Sequence, residues 1–349
     1  MKRKIKVIQV GLGQIGINIA KALLKHDDRF EIVGCVDSAP DKIHKDIGEL
    51  LEPKGSPAAS LPSATGGIYN LSIVGSIDDL KRKKADVVVH STVSFMPEAG
   101  EQVLQLLDKG YNVITTAEEM FFLRQRDPKL FRKLDAAAKR KHLRLLATGV
   151  NPGFVMDSLV LMFTAPCVSI TNIRVERMVN LSRRRLALQR KLGVGLTRQE
   201  FMKETESGRF GPVGLTDSAE FVAHHLDIKY DNIRSTIQPV IADHDYHGDD
   251  VFVAMNHVIG VRHEVVVEKQ GQAILSLRLT MRIDASIEYD AIFIDGDPPV
   301  NVVINNGIMG DTATVGLVLN QLEYLLDSEP GYHDMADMRI PHFTLNHIS

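Results

Sequence analysis

The stretch Lys4–Asp37 reads KIKVIQV (Lys4–Val10), GLGQIG (Gly11–Gly16), INIAKALLKH (Ile17–His26) and, after Asp27 and Asp28, RFEIVGCVD (Arg29–Asp37). Ile5–Val10 is β-branched and apolar enough for a strand buried on both faces. Gly11, Gly13 and Gly16 spell G-x-G-x-x-G, and Ile15, Ile19, Leu23 and Leu24 follow at helical spacing. A second apolar run, Phe30–Val36, ends in Asp37, twenty-one residues past Gly16. Glycines alone mark ordinary tight turns. Strand, glycines, helix, second strand and terminal acid in this order make a dinucleotide-binding fingerprint. Gly11 allows the tight turn and Gly13 lets a pyrophosphate approach the backbone. Gly16 lets the helix pack close to the strand, while the helix N-terminus holds the phosphates. Asp37 would accept hydrogen bonds from the adenosine ribose. NAD or NADP is the expected cofactor, with NAD favoured because Asp37 repels a 2′-phosphate. Gln14 and Ile15, inside the loop, and Ser38, beside Asp37, complete the expected contacts at this end.

Working outward, 349 residues suffice for two domains. Apolar residues make up 44% and charged residues 24%, the composition of a globular chain. A net charge of −3 leaves no electrostatic footprint for nucleic acid. Two cysteines, Cys35 and Cys167, are too few for a disulfide framework, and a reducing cytoplasm is the expected location. The opening MKRK resembles a signal peptide, but Gln9 and Gln14 interrupt the apolar run and cleavage would destroy the fingerprint. No run reaches the ~18 apolar residues that span a bilayer, so no membrane partner is expected.

Beyond Asp37, residues 38–75 are poor in strand signals and carry Pro40, Pro53, Pro57 and Pro62, the pattern of a surface loop. A short helix is expected over Asp41–Leu51, with Lys42 and Lys45 as solvated lysines rather than partners of an NADP phosphate. A charged helix is expected over Ile77–Lys84. Strands follow at Ala85–Ser91, Tyr111–Thr116 and Leu143–Thr148, with helices at Pro97–Lys109 and from Asp127 to Lys141. This alternation predicts a doubly wound, mostly parallel Rossmann-type α/β sheet. Ser91, Thr92 and Thr116 fall at its carboxyl edge, where cofactors bind.

After Pro152 the pattern changes. Val168–Leu181 reads as a long strand, Thr197–Ser207 and Asp217–Leu226 as helices, and Val251–Val303 alternates throughout, as in a largely antiparallel sheet. Gly310–Leu326 is a late helix whose apolar face needs burial, so it is expected to return to the first domain. The expected division is 1–150 with 309–349 as the dinucleotide-binding domain, and 151–308 as an α+β substrate-binding and dimerisation domain.

Glu118 and Glu119 lie just past a buried strand, and adjacent carboxylates on an extended segment point opposite ways. One carboxylate can deprotonate an amine and later activate water, and Glu118 is preferred to Glu119. The alternative is an acid pair at a helix N-terminus. Asn151 is a candidate partner for the nicotinamide amide or the substrate. In Gly310-Asp311-Thr312, Asp311 would cap the returning helix and Thr312 contact the carboxamide. The basic run Ser182–Lys191 offers arginines for a substrate carboxylate, with a solvated face as the plainer reading. Asp243–Asp250 is read as an exposed acidic loop, and no metal site is expected.

GLGQIG, TTAEE (Thr115–Glu119), TGVNPGFVMD (Thr148–Asp157), LQRKLGVGLTRQEF (Leu188–Phe201), GPVGLTDSAEF (Gly211–Phe221) and NNGIMGDTATVGLVLN (Asn305–Asn320) resemble, in the same order, the 2,4-diaminopentanoate dehydrogenases and the related native NAD(P)-dependent amine dehydrogenases. The resemblance covers nearly the whole chain. It implies a dihydrodipicolinate-reductase-like architecture and a homodimer joined through the second domain's sheet. It also implies reversible oxidative deamination of a primary amine to a carbonyl and ammonia, and it supports a functional role for the glutamate pair. The chain departs from the diaminopentanoate enzymes at Met120-Phe121-Phe122-Leu123, where they carry Leu-Ser-Tyr-Pro, and at Met309, where they carry His. Phe121, Phe154 and Met309 are therefore expected to line an apolar substrate pocket. Two other functions compete: a reductase of a cyclic imine or conjugated bond, which needs no ammonia, and a non-catalytic NAD(H) sensor.

Overall fold

A computed structural model describes residues 3–51, 69–81, 84–184, 186–206, 210–248 and 251–344. The prolines at 53, 57 and 62 lie outside the described residues. The chain divides into two compact units, Met1–Val150 with Gly310–Ser349, and Asn151–Met309.

In the first unit, β1 (Ile5–Val10), α1 (Gln14–Lys25) and β2 (Phe30–Val36) form the opening βαβ. There follow α2 (Ile47–Leu51), β3 (Ile73–Val74), β4 (Val87–His90), α3 (Glu98–Asp108), β5 (Asn112–Thr115), α4 (Leu123–Arg126), α5 (Pro128–Arg140) and β6 (Arg144–Ala147). Asp127 caps α5 by accepting from Lys129 N (3.1 Å) and Leu130 N (3.0 Å), with Pro128 in the first turn. Two expected helices are cut short. His44 adopts φ +71°, which ends any helix begun at Asp41, so only Ile47–Leu51 is α-helical. Among its described residues, the charged segment after Ile77 contributes a 3₁₀ turn, Ile77–Asp79.

The second unit contains α6 (Ser158–Thr164), β7 (Ser169–Asn180), α7 (Leu186–Lys191), α8 (Arg198–Thr205), α9 (Leu215–His225), β8 (Asn232–Ile241), β9 (Tyr246–His247), β10 (Phe252–Val253), β11 (Val258–Lys269), β12 (Gln272–Arg282), β13 (Tyr289–Asp297) and β14 (Val300–Asn305). Its six-stranded sheet runs β14-β13-β7-β12-β11-β8. Every pairing is antiparallel except β12 with β7. Along β12 the burial alternates, Leu275, Leu277 and Leu279 inside and Arg278 exposed, and α9 packs on β11 and β12. β8 has no clear sequence signal because Pro239 interrupts it. The strand lies at the sheet edge, where a missing N–H is tolerated.

His263, on β11, is 4% exposed and meets Ser235 Oγ at 2.9 Å. Burial pushes its pKa down to about 4. The folded protein therefore refuses a proton that the unfolded chain accepts near pH 6.5. Stability should fall by about 3 kcal/mol as pH drops from 6.5 to 4. Urea midpoints measured across that window should decline, and the decline should flatten in His263→Gln.

The chain then returns to the first unit through α10 (Gly310–Asp327) and β15 (Gly331–His333). All neighbours in the resulting seven-stranded sheet, β15-β6-β5-β4-β1-β2-β3, are parallel, the doubly wound Rossmann-type arrangement. α10 packs against α1, which buries the apolar face that required a partner. Strand order reverses between β1 and β4, and their carboxyl ends mark the switch point where ligands bind in this topology.

Candidate active site

The glycine loop sits at that switch point. Gly11 has φ +88°, and a side chain there would collide with the backbone of Ser91 just past β4. A side chain at Gly16 would strike the carbonyl oxygen of Gly11, so the helix rests directly on the loop. Gly13 differs from both. It is exposed, faces open space, and stands at the N-terminus of α1, where no side chain caps the free N–H groups. Open space over uncapped, positively polarised N–H groups is the cradle a pyrophosphate needs, and a dinucleotide fits here. Gln14 is exposed and Ile15 half-buried in the same turn.

Gln9 holds the loop from below, a role that its place in the sequence does not assign. It is fully buried, and its Nε2 donates to Gly11 O (2.9 Å) and Ser91 Oγ (2.8 Å). Its signal was a lone amide in an otherwise apolar strand. Ser91 Oγ in turn donates to Gly11 O at 3.1 Å, so Ser91 braces the loop.

Asp37 closes the other end. Its Oδ2 accepts from Leu12 N (2.7 Å) and Lys42 Nζ (3.0 Å), and its Oδ1 accepts from Ala39 N (2.9 Å). Burial alone would raise its pKa. The Ala39 N–H, the Lys42 ammonium and the Leu12 N–H outweigh that and hold it below the ordinary carboxylate value. Lys42 is thus no solvated lysine, since its side chain is only 20% exposed and is ion-paired, whereas Lys45 is exposed.

Next to the loop, the fully buried His90 ties β4 to β5. Its Nδ1 meets Thr115 Oγ1 (2.9 Å) and its Nε2 meets Gln102 Oε1 (2.7 Å) and Thr92 Oγ1 (2.8 Å). Burial depresses its pKa and keeps the ring neutral. Thr92 is exposed, and Thr116 is half-buried at the end of β5. Thr115 Oγ1 also accepts from Ala117 N (3.1 Å), so His90 fixes the start of the turn that carries the glutamates.

That turn is not extended, as expected from sequence, but 3₁₀, over Glu118–Met120. Glu119 Oε2 accepts from Met96 N (2.7 Å) and its Oε1 pairs with Arg126 Nη1 (3.0 Å), which binds the 94–97 loop to α4. Glu118 is half-buried on the same turn, with Oε2 buried. The turn is braced from the C-terminal segment, where Tyr332 Oη donates to Met120 O and its ring stacks edge-on against Phe131. Phe121, expected in a substrate pocket, is 1% exposed. Residues 120–123 run buried without a break as the turn passes into α4, so Phe121 and Phe122 present no surface to a ligand.

In the second unit, Asn151 precedes a cis Pro152, and its Oδ1 is buried with no hydrogen-bond partner among the described residues. An orphaned amide oxygen of this kind calls for a donor. Phe154 is half-buried and Met309 is 59% exposed. Two buried clusters that sequence reading missed fix the ends of this unit. Asp157 accepts from Gly153 N (2.8 Å), Ser158 N (2.6 Å) and Ser218 Oγ (2.8 Å), and burial raises its pKa. Asp157→Ala would strand these donors and should lower stability by roughly 2–4 kcal/mol, read from urea unfolding, with Asp157→Asn milder. At the other end Arg177 pairs with Asp290 at 3.2 Å, both nearly inaccessible. Arg177 Nη2 donates to Ile308 O (2.6 Å) and Asp290 Oδ2 accepts from Ile308 N (2.7 Å), so both backbone polar groups of Ile308, beside Met309, are clamped.

α10 starts at Gly310, so Asp311 lies inside its first turn and does not cap it. Thr312 is exposed there, and Thr314 Oγ1 accepts from Val150 N at 3.2 Å. In the basic run, Arg183 is largely exposed and pairs with Glu288, and Arg185 lies outside the described residues. No three potential metal ligands converge among the described residues.

Residues 154–349 match the model of the 2,4-diaminopentanoate dehydrogenase C-terminal domain family. The 2,4-diaminopentanoate dehydrogenase of Acetoanaerobium sticklandii is 30% identical over 345 residues, spanning 97% of this chain and 94% of that protein. An amine dehydrogenase from Mycobacterium smegmatis shares the fold, with a TM-score of 0.82 at 19% identity over 98% of each chain. GenD2 of gentamicin A biosynthesis, solved in complex with NAD, shares it more distantly, with a TM-score of 0.55 at 15% identity over 97% of this chain and 90% of that one. The fingerprint and its cradle, the two-unit architecture and these matches together place the chain in the 2,4-diaminopentanoate dehydrogenase family of NAD(P)-dependent oxidoreductases.

Proposed function

We propose that this protein catalyses the reversible oxidative deamination of a primary amine, simple or part of a 2,4-diamino acid, to a carbonyl compound and ammonia, with Glu118 as acid–base. The observation that carries the assignment is position: Glu118 is half-buried, with Oε2 buried, on the turn just past β5, at the carboxyl edge of the sheet where ligands bind in this topology. Glu119, beside it, holds Met96 N and Arg126. When bound, the nicotinamide accepts the hydride of the amine carbon and returns it in reductive amination. Glu118 takes the proton of the substrate ammonium, which frees the nitrogen lone pair. After releasing that proton to solvent, it takes a proton from the water that attacks the protonated imine. The net change is substrate ammonium, oxidised cofactor and water to carbonyl, ammonium, reduced cofactor and a proton.

Gly11, Gly13, Gln14, Ile15 and Gly16 with the α1 N-terminus hold the pyrophosphate in this reading. Asp37 and Ser38 hold the adenosine ribose, and Ser91, Thr92 and Thr116 shape the loop edge. Asn151 and Thr312 are assigned to the carboxamide, Phe154 and Met309 to the substrate. The relative from Acetoanaerobium sticklandii is named for 2,4-diaminopentanoate. Apolar Met309 favours a less polar amine here. A homodimer and a reducing cytoplasm, suited to the two free thiols, belong to the same proposal. Oxidation of NADH and NADPH should be followed with a panel of ketones and aldehydes at mildly alkaline pH, with and without excess ammonium. Turnover only with ammonium is expected. Turnover without it would make the protein a carbonyl or imine reductase, and light scattering would test the dimer.

A further inference from the structure

Lys42 stands in the glycine loop as well as beside Asp37. Its Nζ donates to Leu12 O (2.9 Å), one residue before Gly13, and to Asp37 Oδ2 (3.0 Å). Leu12 N–H and Ala39 N–H fill other positions on the same carboxylate. The result is a closed set in which one negative and one positive charge cancel. That alters the usual argument from an acid at the end of β2. A bare carboxylate repels a ribose 2′-phosphate, whereas a carboxylate already paired with an ammonium does not. The ammonium has three donors, and two are engaged in the set. It sits on a flexible four-carbon stem and is partly exposed, and Ser38 beside it is exposed.

Resting on the nicotinamide-dinucleotide reading above, we propose that Lys42 is the residue that admits the 2′-phosphate of NADP, so that the protein uses both cofactors. With NAD the Asp37–Lys42 pair stays closed and Asp37 accepts from the ribose hydroxyls. With NADP, Lys42 turns its ammonium to the 2′-phosphate, with the Ser38 hydroxyl as a second donor. Loss of Lys42 removes the phosphate's partner and also exposes it to the uncompensated charge of Asp37. The two cofactors therefore respond unequally to one substitution.

The test is direct binding. Dissociation constants for NADH and NADPH are measured by reduced-nicotinamide fluorescence, and those for AMP and adenosine 2′,5′-bisphosphate by calorimetry. These are taken on the wild type, Lys42→Met and Lys42→Arg, with melting curves to show that each is folded. Lys42→Met is expected to weaken both 2′-phosphorylated ligands roughly 10- to 100-fold, with NADH and AMP changed less than about threefold. Lys42→Arg should keep 2′-phosphate binding within about fivefold, because a cation remains. Equal weakening of all four ligands would overturn the proposal and make Lys42 a brace for Asp37 alone. A wild type that binds NADH but not NADPH would overturn it too. A wild type that binds neither would instead remove the cofactor reading beneath it.

Discussion

Glu118→Gln is expected to lower ammonium-dependent turnover by roughly two to four orders of magnitude, the range a positioned acid–base group contributes. NADH affinity should stay within about twofold, because the group acts on the reacting nitrogen and not on the dinucleotide. Glutamine keeps the shape and the hydrogen-bonding ends of the side chain but has no useful proton affinity, so the loss reads chemistry. An amine at neutral pH arrives as ammonium, whose nitrogen has no lone pair to expel hydride. Without a base, only the small neutral fraction reacts, and raising the pH should partly restore the rate. The acid limb of the pH–rate profile should therefore change shape in Glu118→Gln as well as fall.

Glu119→Gln is the control on the same turn. It removes the charge that faces Arg126 and weakens the bond from Met96 N, on side chains 17–32% exposed. Its cost should be about 1 kcal/mol of stability, as for a partly exposed ion pair. Its turnover should fall far less than that of Glu118→Gln, with the wild-type pH profile retained. If Glu119→Gln shows the large loss and Glu118→Gln does not, the acid–base role moves to Glu119.

The Rossmann half of the fold was legible because its signals are strong and local. A buried strand, a spaced set of glycines and a helical apolar stripe each point the same way in Lys4–Asp37, and the β12 alternation does so for the antiparallel sheet. Other features depend on partners far away in sequence. β15 is three residues long and exists only by pairing with β6, and the parallel register of β12 on β7 leaves no trace in either strand. The site follows the same division. The glycine turn at the start of α1 was readable from spacing. The 3₁₀ turn at Glu118, the ties of Glu119 to Met96 and Arg126, and the Asp37–Lys42 pair beside the helix break at His44 are set by contacts that neither spacing nor composition records. A polar residue within an apolar strand, such as Gln9 or His90, was the available clue and marked a brace in each case.

Gly13→Val and Gly16→Ala should fail in opposite ways. At Gly16 the added methyl meets Gly11 O and Ser91 Oγ, and the first is backbone that no rotamer change can move. α1 must lift from the sheet, which disturbs the burial of Ile19, Ala20 and Leu23. Overpacking at so close an approach should cost roughly 2–3 kcal/mol, with a visible drop in melting temperature and cofactor binding lost as a consequence. At Gly13 nothing lies within 4 Å of an added Cβ and φ is −69°, which valine adopts without strain. Stability should therefore stay within about 0.5 kcal/mol of the wild type. The same open space is where the pyrophosphate must approach the α1 N–H groups, and valine fills it. NADH affinity should fall roughly a hundredfold, about 2.7 kcal/mol, in a protein that melts normally. The pairing separates the loop's two duties, close packing at Gly16 and ligand approach at Gly13. A Gly13→Val protein that binds NADH like the wild type would mean the pyrophosphate lies elsewhere, and the cradle, with everything assigned around it, would have to be given up.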